Sequence, residues 1–372
     1  MEEEIEQKIK ELKPELIEAI RRMVAIESVE SKPLENAPFG KGPKEALDEV
    51  LKISDELGFK TVNIDNKVGY AQYGEGDGDY IGIFGHVDVV PLGKGWIHEP
   101  LGGEIEDGRM YGRGVLDNKG PILTNLYALY ALKELAIDFP IPIRIVFGTN
   151  EETGFKCIEH YLKKEKPPLF GWTPDNKWPV VYGERGRGRV RVKNTGKRES
   201  FYQYLNDYIL SSPDNGVKLG VNYKDDDFGV MIMRGYQLGI EEGQDYFEWS
   251  LSYPASVTIN ELGNKIKKSL PEGIAYELIH NWDPVLYDKD SDFVKALQKA
   301  YEEKSGLDGT PDTTTGGTYA KMVPNIIAYG PSFPGQKGIA HLPDEWMDIK
   351  DIMMNAQIYA AAFYHLKEVL DK

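Results

Sequence analysis

The chain has 372 residues, enough for two or three compact units at roughly 100–200 residues per domain. Its 44 Lys and Arg are outnumbered by 60 Asp and Glu, and the formal net charge of −16 disfavours binding to nucleic acid or anionic lipid. The single cysteine, Cys157, excludes intramolecular disulfides and multi-thiolate metal sites, so a bound metal would need His and carboxylate ligands.

Two amphipathic helical segments are predicted at the start of the chain, where apolar residues recur at helical spacing over 5–20 and over 46–57. The first residues, MEEEIEQKIKEL, lack the basic start and apolar run of an export signal. No window approaches roughly 18 consecutive apolar residues, the length of a membrane span. We therefore expect a cytoplasmic protein that does not bind membranes.

Short apolar runs bounded by Gly, Asp and Pro follow Gly58 and predict strands. These runs are VGYAQYG, YIGIFG, IPIRIVFG and, much later, NIIAYG. A helical segment from about Pro121 to Leu135 separates the second run from the third. Strands that alternate with helices of this length are typical of an α/β domain with a mostly parallel sheet.

The composition changes near Gly183 and predicts an inserted domain. The following region is rich in Tyr, Asp and Ser and carries alternating runs such as FGVMIMRGYQLGI, which favour a small α+β unit. From about Ser291 the α/β pattern returns and ends in an amphipathic helix. We therefore predict a discontinuous α/β domain, residues 1–184 and 286–372, interrupted by an α+β insert at 185–285.

Candidate catalytic residues follow two of the predicted strands. His86 and Asp88 come after YIGIFG and would point to the same face of an extended chain, so Asp88 could orient a metal-binding imidazole. Glu151 and Glu152 come after IPIRIVFG, at the edge where open α/β sheets build their sites. Adjacent extended residues point apart, so one carboxylate could bind a metal while the other moves protons.

Three further candidates lie in predicted loops: Asp117 in GRGVLDNKGP, Asp175 in TPDNKWP and His341 in GIAHLPDEW. Each of them alone is equally consistent with a turn residue or a helix cap. The whole set combines two His with several carboxylates and no thiolate. Such a donor set suits a catalytic site for zinc, cobalt or manganese with an open coordination position.

The chain resembles a known family in a series of motifs: PFGKGPKEAL, FGHVDVVPLGKGW, MYGRGVLDNKGP, TNEETGFKCIEHY, FGWTPDNKWPVVYGERG, and GGTYAKM with FPGQKGIAH. They occur in the order and spacing of the PepV-type dipeptidases. These are di-zinc exopeptidases related to carboxypeptidase G, succinyl-diaminopimelate desuccinylase and acetylornithine deacetylase. The resemblance covers about residues 35–184 and 288–345. It implies a zinc-exopeptidase-like catalytic domain with a ferredoxin-like lid formed by the insert.

The resemblance also implies two divalent metal ions, zinc before cobalt or manganese, and a set of five ligands. One metal would be held by His86 and Asp175, and the other by Glu152 and His341. Asp117 would bridge the two.

Two acidic residues would act beside the metals. The resemblance implies that Glu151 is the general acid/base and that Asp88 orients His86. It further implies a cis peptide bond between Asp117 and Asn118.

The implied reaction is metal-dependent hydrolysis of an amide bond in a small substrate, with a dipeptide as the first choice. A metal-bridging hydroxide would attack the carbonyl, and Glu151 would pass the proton to the leaving amine. One alternative is a deacylase of N-acyl amino acids, such as acetylated or succinylated ones. An alternative of another class is an inactive metal-binding relative that serves as a binding protein.

The insert departs from the family pattern at two residues. Relatives carry a lid His in a GKxAH-like segment and an Arg in an xxRYP-like strand, whereas here no His precedes His280 within the insert and Ser252 stands where the Arg would fall. The cations that could replace them are Arg185, Arg187, Arg189 and Arg234. A segment that lies against substrate in the family corresponds here to Gly316, Gly317 and Thr318.

The insert is also short. It has about half the length found in the PepV-type enzymes, whose doubled lid mimics a partner subunit. A single lid in this family usually pairs with another. We therefore expect a homodimer formed through the lid domain, or a larger assembly.

Overall fold

The chain folds into two compact units in a computed structural model that describes residues 1–76, 78–336 and 338–372. The first unit consists of Met1–Val181, Asp288–Pro311 and Thr318–Lys372. The second consists of Tyr182–Tyr287 and Asp312–Gly317. The short segment 312–317 therefore belongs to the second unit, although the sequence pattern predicted it within the α/β domain.

The helices bury the apolar faces that the sequence spacing predicted. The first helical segment is divided at Leu12, and Pro14 lies in the first turn of the helix that follows, a position where proline is well tolerated. None of the helices in the described ranges combines the length and apolar composition of a membrane span. The helices are α1 (Glu2–Glu11), α2 (Lys13–Val24), α3 (Lys41–Glu56), α4 (Lys119–Glu134), α5 (Lys156–Lys164), α6 (Arg198–Leu205), α7 (Ile259–Ser269), α8 (Asp292–Ser305) and α9 (Ile349–Leu370).

The strands are short, and the apolar runs of the sequence coincide with the buried ones. The strands are β1 (Lys60–Ile64), β2 (Val68–Tyr73), β3 (Ile81–His86), β4 (Glu104–Glu106), β5 (Arg109–Tyr111), β6 (Ile143–Gly148), β7 (Phe170–Thr173), β8 (Asn176–Lys177), β9 (Val180–Glu184), β10 (Gly186–Asn194), β11 (Lys224–Asp225), β12 (Gly229–Val230), β13 (Ile232–Glu241), β14 (Gln244–Tyr253), β15 (Ile274–Trp282), β16 (Val285–Leu286), β17 (Asp312–Thr314), β18 (Ile326–Tyr329), β19 (Pro331–Ser332) and β20 (Trp346–Asp348).

The first unit is built on a mixed sheet in the order β1-β2-β6-β3-β7-β18-β9. The four central strands β6, β3, β7 and β18 are parallel, and the outer pairs are antiparallel. This arrangement confirms the predicted α/β class with a largely parallel centre. Because β3 and β6 run in register and pair His86 with Gly148, the residues that follow both strands emerge at one edge of the sheet.

The second unit contains a four-stranded antiparallel sheet in the order β13-β14-β10-β15. Apart from the short β11-β12 pair between α6 and β13, the chain runs β10-α6-β13-β14-α7-β15, the β-α-β-β-α-β order of ferredoxin-like folds. Apolar residues of α6 and α7 join those of β10 and β14 in one buried cluster. The opposite face of the sheet carries the polar side chains of β10 and β14.

Candidate dinuclear metal centre

The residues predicted to bind metal come together at the carboxyl edge of the central sheet. His86 is the last residue of β3, and Asp175 comes two residues after β7. Asp117 lies two residues before α4, whereas Glu152 follows β6 in the next loop. His341 comes from the long connection between β19 and β20. All five belong to the first unit.

Asp117 lies between the two histidines. Its Oδ1 is 3.0 Å from His86 Nε2, and its Oδ2 is 3.0 Å from His341 Nε2. A second carboxylate accompanies each imidazole, since Asp175 Oδ2 is 3.7 Å from His86 Nε2 and Glu152 Oε1 is 3.0 Å from His341 Nε2. The side chains therefore form two donor groups that share one carboxylate.

Glu151 lies next to the first of these groups. One ligand atom from each of Glu151, His86 and Asp175 falls within 4.8 Å of the others. Burial raises the pKa of Glu151 to about 8, and the negative charges of Asp117 and Glu152 reinforce the shift against the opposing effect of His86. A carboxyl group that titrates in this range can both accept and return a proton near neutral pH.

The Asp88 carboxylate fixes the backbone at Glu151 and Glu152 through hydrogen bonds. It is buried, and its two carboxylate oxygens accept hydrogen bonds from the backbone N–H groups of Glu151 and Glu152, both at 3.1 Å. Its main-chain carbonyl accepts from His86 Nδ1 at 3.0 Å. A carbonyl can only accept, so Nδ1 donates this hydrogen bond and Nε2 is the ring nitrogen that faces the carboxylates.

Asn118 connects the segment that carries His86 to the segment that carries Asp175. This role was not predicted from the sequence. Its Oδ1 accepts from the backbone N–H of His86 at 3.4 Å, and its Nδ2 donates to the carbonyl of Pro174 at 2.7 Å. The peptide bond between Asp117 and Asn118 is cis, as the family resemblance implied. In the sequence, an Asn directly before a helix is typical of an N-cap, which conceals this role.

The electrostatics of the cluster fit divalent cations. Burial raises the pKa of Asp175 well above its usual range, and the neighbouring charges of Asp117 and Glu151 add to the shift. Hydrogen bonds to Asp117 and Glu152 raise the pKa of His341 to about 10. A concentration of carboxylates this dense requires positive charge, and the imidazole and carboxylate donors are those that zinc and manganese accept.

The predicted substrate-binding arginines lie in the second unit and differ in their surroundings. The Arg185 guanidinium donates to backbone carbonyls of Phe228 and Val230. Arg189 Nε donates to Glu248 Oε2 at 3.0 Å. Both groups are therefore already engaged within the unit.

Arg187 and Arg234 remain exposed on the polar face of the sheet. In the part of the chain that the structure describes, neither forms an ion pair with a carboxylate; Arg234 Nη2 donates only to the carbonyl of Thr315, at 2.9 Å. Ser252, the cross-strand partner of Arg187, is buried, and its hydroxyl has no hydrogen-bond partner among the described residues.

The Gly316 to Thr318 segment spans the boundary between the units. Gly316 and Gly317 belong to the second unit, and the backbone N–H of Gly316 donates to Thr314 Oγ1 at 3.1 Å. Thr318 belongs to the first unit, is buried, and accepts from the backbone N–H of Ala320 at 3.2 Å. The Thr318 side chain thus caps the short helical turn that begins at Tyr319.

A largely parallel sheet that ends in imidazole and carboxylate groups defines a class of α/β metallohydrolases. Comparison with known proteins specifies the family within this class. Residues 82–365 match peptidase family M20/M25/M40, and the chain belongs to this family. The prediction of a metallopeptidase is thereby confirmed.

Individual relatives agree with this assignment. YtjP of Bacillus subtilis (strain 168), which is named as a candidate dipeptidase, is 27% identical over 459 aligned positions covering 95% of this chain and 97% of the relative. Human carnosine dipeptidase 1 is similar in structure, with a TM-score of 0.73, 18% identity and 99% of each chain covered. The YXEP protein of Bacillus subtilis, described as a dinuclear metal-binding M20 peptidase, gives a TM-score of 0.66 at 14% identity, covering 97% of this chain and 99% of its own.

Proposed function

We propose that the protein is a dinuclear metal-dependent dipeptidase. The observation that carries the proposal is the position of Asp117, whose two oxygens each lie 3.0 Å from a different imidazole. Each imidazole has a further carboxylate beside it, so the donors divide into two complete groups. The dipeptidase names of similar proteins support the choice of substrate.

Two metal positions follow from this grouping. His86 and Asp175 would hold one cation, Glu152 and His341 would hold the other, and Asp117 would bridge them. Cations bound there supply Lewis acidity, which acidifies water and polarises a carbonyl group. We propose zinc as the native metal, because imidazole with carboxylate ligands is common in catalytic zinc sites, with cobalt and manganese as the alternatives.

Glu151 would move the proton. As a carboxylate it accepts a proton from the attacking water, and as an acid it returns that proton to the nitrogen of the leaving amine. Asp88 keeps Glu151 in place through the backbone hydrogen bond at 3.1 Å. Burial of Glu151, which raises its pKa, allows both protonation states to be reached near neutral pH.

Arg187 and Arg234 are the cations that we propose for the substrate carboxylate. Among the described residues neither of them forms an ion pair, whereas the guanidinium groups of Arg185 and Arg189 are engaged within the second unit. Planar guanidinium groups bind carboxylates through paired hydrogen bonds. The backbone at Gly316 and Gly317 has no side chains that would keep a ligand away.

A substrate panel tests the proposal. The protein is stripped with a chelator, reloaded with Zn²⁺, Co²⁺ or Mn²⁺, and assayed on dipeptides and on N-acetyl and N-succinyl amino acids. We expect hydrolysis of dipeptides that chelation abolishes and metal restores. Full activity without metal would refute the metal mechanism, and faster turnover of the acylated amino acids would instead identify a deacylase.

We also propose a homodimer formed through the second unit. Its outer strand β13 exposes Leu238 and Ile240, with 54% and 64% of their surfaces accessible, and exposed apolar strands at a sheet edge favour pairing. Light scattering should give twice the chain mass, and Ile240→Lys should reduce it to the monomer mass. A wild-type monomer would contradict this proposal.

A cytoplasmic location is proposed on the basis of cysteine chemistry. Cys157 is the only cysteine of the chain and is a buried free thiol, and chains without disulfides are typical of reducing compartments. Fractionation of cells that express the protein would test this assignment, and recovery outside the cytoplasm would overturn it.

A further inference from the structure

A buried ion pair lies beside the candidate metal centre. Arg113 Nη1 is 2.7 Å from Glu345 Oε2, and the two side chains are 1% and 0% exposed. Neither residue belongs to the proposed ligand set. Replacing a buried ion pair with apolar residues of similar size is often neutral or stabilising, so stability alone gives a weak reason for this pair.

Glu345 organises the loop that carries Asp117. Its second oxygen, Oε1, accepts backbone hydrogen bonds from Gly114 at 3.0 Å, Leu116 at 2.9 Å and Asp117 at 3.1 Å. Its own main-chain carbonyl accepts from the N–H of Gly112 at 2.9 Å. One carboxylate therefore holds three N–H groups in a single geometry, and the last of them belongs to the residue proposed to bridge the metals.

Arg113 reaches the loop that carries His341. Its Nη2 donates to the carbonyl of His341 at 3.4 Å and to that of Leu92 at 3.3 Å, while the guanidinium lies 5.2 Å from the ring centre of Trp96. His341 has a φ of 67°, a left-handed conformation that few non-glycine residues adopt. The surrounding contacts must hold such a conformation in place, and Arg113 supplies one of them.

We propose that Arg113 and Glu345 are positioning residues that hold Asp117 and His341 as one unit and thereby set the affinity of the metal position formed by Glu152 and His341. This inference rests on the ligand assignment in the proposed function. His86 is held independently, by Asp88 and Asn118. Loss of the ion pair should therefore weaken one metal position more than the other.

Metal titration of the chelator-stripped protein tests the inference. Calorimetry with Co²⁺ alone should resolve two binding events in the wild type. Glu345→Gln keeps the side-chain volume but turns an amide N–H group toward Arg113 or toward the loop N–H groups. We expect one event to weaken by about 10–100-fold, the usual effect of losing a residue that supports a metal ligand. The other event should weaken by a smaller factor, because that position shares Asp117 but not His341.

The pair of Arg144 and Glu165 provides a matched control. It is another largely buried Arg–Glu pair of the first unit, with Nη1 2.9 Å from Oε2, and it contacts none of the proposed ligands. Glu165→Gln should lower the melting temperature of the metal-free protein without changing either cobalt affinity. If Glu345→Gln behaved in the same way, the role of the ion pair would be purely structural and the inference would be wrong.

A second variant covers the case in which Glu345→Gln does not fold. Arg113→Lys preserves the charge opposite Glu345 but cannot extend planar donors to the carbonyl of His341. The same selective weakening is expected, and two unchanged cobalt affinities would refute the inference. The proposed function fails separately, because a wild type that binds no metal would refute the ligand assignment before any variant is compared.

Discussion

Two clusters of side chains, one in each unit of the molecule, carry opposite charges and are held differently. In the first unit, buried carboxylates crowd around two histidines, and backbone hydrogen bonds fix the segments that carry them. In the second unit, Arg187 and Arg234 lie exposed on one face of the sheet, and neither forms an ion pair within the described ranges. The first cluster is buried, hydrogen-bonded and rich in negative charge, whereas the second is exposed and rich in positive charge.

The proposed function gives the two clusters different tasks. A rigid carboxylate cluster suits small cations and the precise placement of reacting atoms. An open pair of guanidinium groups suits a substrate carboxylate, whose position can vary with the size of the substrate. A change in the first unit should therefore affect turnover and metal content, and a change in the second should affect substrate binding.

The largest expected effect separates the two neighbouring glutamates of the first unit. Glu151→Gln should lower kcat by about 10²–10⁴-fold, the usual contribution of a general acid/base, and leave the metal content near two ions per chain. Glu152→Gln should lose metal. Steady-state kinetics together with elemental analysis distinguish these outcomes, and exchanged phenotypes would reverse the assigned roles.

A smaller effect is expected from the arginines of the second unit. Arg187→Met and Arg234→Met should each raise KM by about 10–100-fold with little change in kcat, since a hydrogen bond to a charged group contributes roughly 1.5–3 kcal/mol. Arg191, on the same strand, is already paired with Glu248, so Arg191→Met is the matched control. Amidated dipeptides should show no difference between the variants and the wild type, and an equal loss on those substrates would exclude a carboxylate contact.

The pH dependence of the stability of the metal-free protein provides the next test. Hydrogen bonds to Asp117 and Glu152 raise the pKa of His341 to about 10. Protonated His341 therefore contributes its full stabilisation below the pKa of about 6.5 in the unfolded chain, and this stabilisation is lost as pH rises through 10. Burial raises the pKa of Glu151 to about 8 and acts in the same direction. The melting temperature of the metal-free protein should therefore fall between pH 7 and 10.

Metal should reverse this behaviour, because a bound cation requires neutral His341. Cobalt affinity should rise over the same pH range, and binding at pH 8 should release protons, which calorimetry in buffers of different ionisation enthalpy measures. His341→Asn should weaken the pH dependence of both the melting temperature and the cobalt affinity. If the melting temperature changed with pH in the same way for the metal-free and metal-loaded proteins, the predicted charge state of His341 would be wrong.

The smallest effect tests the independence of the second unit. Thr258 and Glu261 form a capping box at the start of α7, and Thr258→Ala should cost about 1 kcal/mol of stability. Cobalt affinities and the metal content should not change. A shift in either affinity would show that folding of the second unit is coupled to the metal centre.

The fold and the candidate ligands were predictable because their signals are local. Apolar runs such as YIGIFG and IPIRIVFG predict the strands β3 and β6, and parallel strands bring the residues after them to one edge. His86, Glu151 and Glu152 could be placed in this way. The ligand assignment itself depended on the family resemblance and stays a prediction.

Roles that depend on distant contacts could not be predicted. Glu345 lies in an acidic stretch of the sequence, and its function depends on backbone N–H groups more than two hundred residues earlier. The sequence could not distinguish Arg185 from Arg187, because the carbonyls of Phe228 and Val230 that engage Arg185 lie on another strand and its preceding loop. Segment 312–317 is too short to reveal that it joins the second unit.

The burial of Cys157 has a practical consequence for spectroscopy. Burial raises the pKa of this thiol to about 12, and alkylating reagents react with the thiolate. Two cysteines introduced at the surface, one in each unit, would therefore react with a thiol-specific dye in preference to Cys157. Energy transfer between a donor and an acceptor attached in this way would report the separation of the two units, with and without substrate.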